Sequence, residues 1–154
     1  RMTACWTVML AFETLVDVPW DGAFVQDNPL AWAARNSSKP SRERVMDCWV
    51  LQASPEWSAT HLDVASEIVA RDLLEAFQSV CGGHLPPHRH VAAHRWRYGQ
   101  CSETDSRLML FDPEIGLAMT GDWLADGRIE GAFLAGIRAA DAICDQSRLQ
   151  GGDQ

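Results

Sequence analysis

The chain of 154 residues contains no apolar run approaching the ~20 residues that a membrane-spanning helix needs, so no membrane partner is expected. It is also short of basic residues: 13 Lys and Arg stand against 21 Asp and Glu, a formal net charge of −8. A surface that tracks phosphates carries the opposite sign, so no nucleic-acid partner is expected. The five cysteines, at 5, 48, 81, 101 and 144, form no C-x-x-C pair, and their number is odd. That excludes a disulfide scaffold and suits buried thiols in a reducing, cytoplasmic compartment. A single tyrosine accompanies seven tryptophans, side chains that fill cores or line pockets and interfaces. The eleven glycines hold no G-x-G-x-x-G spacing, so the turn that seats a dinucleotide pyrophosphate is not expected within these residues.

What remains is the composition of a soluble domain with a core: 47% apolar and 22% charged residues. Residues 4–12 follow Arg1 like the apolar part of a signal peptide, but lead into Glu13 without a small-residue cleavage site. They read as a buried strand, and its onset directly after Arg1-Met2 suggests a start in mid-protein. Further strands are expected over 30–35, 46–52, 90–98, 108–111 and 115–120, with an Asp21-Gly22 hairpin turn between Trp20 and Phe24. The clearest helix covers 62–80, with Ala65, Val69, Leu73, Phe77 and Val80 on one face, Thr60 or Asp63 as its cap, and Gly82-Gly83 as its stop. A last helix, 130–146, presents Phe133, Ile137, Ala140 and Ile143/Cys144 as its apolar face. Strands and helices do not alternate strictly, which gives an α+β class.

The segment 121–132, Gly-Asp-Trp-Leu-Ala-Asp-Gly-Arg-Ile-Glu-Gly-Ala, is the most informative for chemistry. A turn rich in Gly and Asp feeds a helix whose first residues are small, which leaves free N–H groups at the positive end of the helix dipole. An Asp at the strand end can accept from ligand hydroxyls; the plainer reading is an ordinary turn with a glycine cap.

Residues 117–140, read as G-L-A-x-x-G-D-W-L…G-R-I-E-G-A-F-L-A-G…A-A from Gly116 on, resemble the C-terminal flavin-binding segment of the renalase-like FAD oxidoreductases, within the flavin amine-oxidase superfamily. His94-Arg95-Trp96-Arg97-Tyr98, the stretch 32–42 with Asn-Ser-Ser-Lys-Pro, and the opening Cys5-Trp6-Thr7-Val8-Met9-Leu10 are also similar to that family. The resemblance implies a mixed or antiparallel substrate-domain sheet, plus a C-terminal strand-turn-helix that completes an FAD-binding Rossmann-like domain. The implied division is a substrate-domain portion over 1–106, an FAD-contact segment over 107–148 and a tail over 149–154. The N-terminal dinucleotide-binding half is expected to be a separate, missing part and the chief partner. The implied cofactor is FAD, contacted by Gly121, Asp122, Trp123, Glu130, Gly131 and Ala132. His94 and Trp96 would lie at the catalytic pocket, and Lys39, Arg42, Arg95 and Arg97 would contact an anionic substrate. The reaction implied is oxidation of a reduced nicotinamide-type dinucleotide with oxygen as acceptor, by the whole protein rather than by this chain alone. A flavin amine oxidase acting on a small amine is the alternative.

A rival of another class is a non-catalytic α+β binding module. Cys81, His84, His88, His90, His94 and Cys101 fall within 21 positions, and zinc takes such ligands. Their spacing matches no standard zinc pattern, so no metal is assigned. Ser37-Ser38-Lys39 reads as a solvated loop or an anion contact, and Trp20, Trp49 and Trp57 as core or interface residues.

Overall fold

The computed structural model describes residues 2–42, 45–101 and 107–151, which form a larger unit, Thr3–Gly99, and a smaller one from Gln100 onward. The larger unit is built on five strands: β1 (Met2–Phe12), β2 (Gly22–Phe24), β3 (Leu30–Arg35), β4 (Asp47–Ala53) and β5 (His88–Cys101). They form one antiparallel sheet in the order β2-β3-β4-β1-β5, so β1 is interior and β5 is an edge. Two helices follow β4: α1 (Pro55–Thr60) and α2 (Ser66–Val80). Among the described residues no helix is long and apolar enough to cross a membrane.

Period-two alternation decides which side of the sheet is core. Trp6, Val8, Leu10 and Phe12 of β1 share a face with Trp49 and Leu51 of β4, because Val8 pairs with Leu51 and Leu10 with Trp49. Val69, Leu73 and Phe77 of α2 close this layer, all three with no exposed surface. Phe77 is the hub, with ring centroids 5.0 Å from Trp49 and 6.4 Å from Phe12. The helix ends as expected, with Gly82 at φ +84° and Gly83 N–H donating to Gln78 C=O over 2.8 Å.

Three local expectations are corrected. Asp21-Gly22 is not the hairpin turn: Gly22 is the first residue of β2 and pairs with Ala34, so the reversal falls in residues 25–29. Gly22 serves close approach instead, since a Cβ there would meet the Trp32 indole at 2.9 Å. The helix expected from residue 62 starts later, and Ala65 occupies its N-cap position without a side-chain bond. Before it, Ser54-Pro55 opens α1, where the Ser54 hydroxyl accepts from Trp57 N–H over 3.1 Å and Pro55 begins the first turn.

The smaller unit contains the hairpin β6 (Met109–Asp112) and β7 (Leu117–Thr120), a 3-10 turn at Asp122–Leu124, and helix α3 (Ile129–Gly151). The third correction lies here. Helix α3 buries Gly131, Ala135 and Ala139 toward the hairpin and the turn, while Phe133 is 67% and Ile137 44% exposed. Small side chains at i, i+4 and i+8 let the backbone approach the hairpin closely, and the larger apolar row is left outward.

Candidate functional site

Within the larger unit, α1 and α2 pack on the face that holds Trp6, Val8, Leu10 and Phe12. Among the described residues of this unit, no helix covers the other face. Register arranges that face in rows. Phe24, Trp32, Gln52 and Thr7 are cross-strand neighbours in one row; Gly22, Ala34, Val50 and Met9 form the next. The first row starts with two aromatic rings, centroids 4.5 Å apart, and ends with a carboxamide and a hydroxyl. The second is apolar, small from Gly22 to Val50 and closed by Met9, which is 42% exposed. The result is a shallow floor beside an aromatic ridge.

His94 and Trp96 stand on the same open face at the edge strand, ring centroids 4.5 Å apart and near perpendicular at 67°. Their i, i+2 spacing on β5 brings them together, and Trp96 stays 53% exposed. A Cβ on Gly99 would sit 2.9 Å from Cys5 Cβ and 3.1 Å from Trp96 Cβ, so glycine lets β5 close against β1 here. The pair can stack on a flat ring and offer one imidazole to it.

Arg95 and Arg97 point to the opposite side. The Arg95 guanidinium carbon lies 5.6 Å from the Trp6 ring centroid, and its Nη1 donates to the Leu62 carbonyl. Arg97 Nη2 donates to Asp63 Oδ1 over 3.1 Å. Both expected anion contacts are thus engaged with the α1–α2 connection, on the face away from His94 and Trp96. Lys39 and Arg42 lie on an exposed turn after a 3-10 turn at Asn36–Ser38, where Ser41 adopts φ +62°.

Sequence reasoning missed a buried polar node one turn away. Asp47 is 3% exposed and accepts three hydrogen bonds: Ser37 Oγ at 2.8 Å on Oδ1, and Val16 N–H and Trp49 Nε1, each at 2.9 Å, on Oδ2. Arg35 lays its guanidinium beside it, donating to the Val16 carbonyl at 2.7 Å and to Asp21 Oδ1 at 3.2 Å. A cavity of about 480 Å3 opens onto this node, with Glu13, Ser38 and Met46 also in its wall. The available signal was parity: Asp47 falls on the same alternation as Trp49 and Leu51, where an unpaired carboxylate could not stay. Nearby, burial pushes the Cys81 thiol up to about 11, against a smaller opposing pull from Arg35. Burial likewise raises Cys5, partly offset by its contact with the Thr7 hydroxyl.

In the smaller unit, the turn after β7 is held by its own backbone. The Asp122 carbonyl accepts from Ala125 and Gly127 N–H, each at 3.0 Å, with Gly127 at φ +74°. The Trp123 indole folds back over Gly121, where a Cβ would meet Nε1 at 2.6 Å. The Asp122 side chain itself is exposed. Glu130, Gly131 and Ala132 are the first turn of α3, as the sequence suggests. The space beside Gly131 is taken by Asp126: a Cβ there would fall 2.2 Å from Asp126 Oδ1 and 2.8 Å from Ala125 Cβ. Asp126 Oδ1 also accepts from Arg128 N–H over 3.1 Å, so a carboxylate already sits at the positive end of the helix.

No protein-family model matches this chain. Function therefore rests on the geometry. Among the described residues, no three His, Cys, Asp or Glu side chains converge as a metal-ligand set. His88 and His90 are exposed on β5, and Cys81 ends α2. Of the grouped residues, His88, His90, His94 and Cys101 are spread along β5.

Proposed function

We propose that this chain is the substrate-facing part of an FAD-dependent oxidoreductase of the renalase-like kind, with a dinucleotide-binding half as its partner. The observation that carries the reading is the open sheet face: an aromatic ridge, a small apolar floor, and the His94–Trp96 pair at its edge. A face of this make-up suits a flat heteroaromatic ring, and a reduced nicotinamide is such a ring. When bound, FAD supplies the hydride acceptor and passes the electrons on to oxygen. The chain's own part is to orient the substrate ring over the floor, exclude water with Trp32 and Trp96, and hold the imidazole of His94 at the ring edge.

The 121–132 segment fits the polyol end of the cofactor through the exposed Asp122 carboxylate, which can accept from hydroxyls. Its helix start fits the electron-rich end of a flavin once the exposed Asp126 carboxylate turns away from Gly131. Completion of a Rossmann-like domain by β6, β7 and α3 belongs to the same proposal, and the outward Phe133 and Ile137 would then be covered by the partner half.

The test is to isolate the native protein from its source, record its intact mass and visible spectrum, and assay it under air. A longer, yellow polypeptide that oxidises reduced nicotinamide mononucleotide and releases peroxide is expected. A colourless native protein overturns the reading, and turnover of small amines alone transfers it to the amine-oxidase class.

A further inference from the structure

We draw no further inference here: the strongest candidate, the groove of about 490 Å3 between helix α2 and the edge strand β5, lined by Ala70, Leu74, Val91 and Ala93 with Glu67 and Arg71 beside them, carries nothing, because its charges are of both signs and nothing in the structure shows what covers it.

Discussion

Arg35 Nε lies 3.3 Å from Asp47 Oδ1, and the same guanidinium covers the Trp49 ring with its central carbon 4.8 Å from the centroid. Asp47 in turn holds Trp49 Nε1, so one carboxylate fixes both the cation and the aromatic ring beneath it. The pair joins the ends of β3 and β4 to the segment at Val16. Removing one partner of such a buried pair strands the other. Asp47→Ala should therefore cost about 3–5 kcal/mol in urea unfolding of the larger unit. The comparison is Asp63→Ala, whose carboxylate is 81% exposed and bonded to Arg95 and Arg97; it should cost about 1 kcal/mol or less. Similar losses for the two variants would show that the buried node adds no special stability.

Gly131 gives a second expectation. Alanine is the better helix former by about 1 kcal/mol, so propensity alone predicts stabilisation on Gly131→Ala. The structure reverses the sign. The Asp126 side chain can swing aside, but Ala125 Cβ, 2.8 Å from the added carbon, is fixed to the backbone. The smaller unit should lose about 1–3 kcal/mol, read as a lower unfolding midpoint, and Asp126→Gly in the same chain should restore only part of it.

The contrast between α2 and α3 explains how far the sequence could be read. In α2 the core-facing residues are Val69, Leu73 and Phe77, large and spaced by four, so periodicity and burial agree. In α3 the largest apolar residues mark the outward row, because the inner row must be small to meet the hairpin; hydrophobicity then points the wrong way. Strands β1, β3 and β4 were legible from their short apolar runs and the turn signals that bound them. The open face was not, since which of two alternating rows lacks a helix depends on where α2 returns across the sheet. The resemblance named His94, Trp96, Arg95 and Arg97 together; strand parity on β5 is what separates the first two from the last two. The Arg35–Asp47 pair was hidden, because the turn between β3 and β4 decides that these positions meet.

The Cys81 thiol supplies a pH expectation. Burial raises it from 9.0 to about 11, so the folded chain keeps its proton after the unfolded chain has lost it. Between those values the unfolded state binds fewer protons, and the contribution of this group to stability falls as pH rises from 9.0 toward about 11. Alkylation of the native chain by iodoacetamide, followed by peptide mass analysis, should place the inflection for Cys81 near 11. An inflection for Cys81 at the ordinary thiol value would contradict its burial.

The start of α2 offers a gain rather than a loss. Ala65 is its N-cap, with the extended backbone (φ −62°, ψ 141°) that capping residues adopt, but no side-chain oxygen to accept from the first turn. Ala65 is exposed, so a hydroxyl there displaces no packing. Ala65→Ser should stabilise the larger unit by about 1 kcal/mol through a bond to a free first-turn N–H. Ala65→Gly serves as the control, because it tolerates the backbone but supplies no acceptor. If serine raises the urea midpoint and glycine does not, the gain belongs to the hydrogen bond. Equal effects would assign it to the backbone, and no gain from serine would mean that solvent already satisfies those donors as well as a cap would.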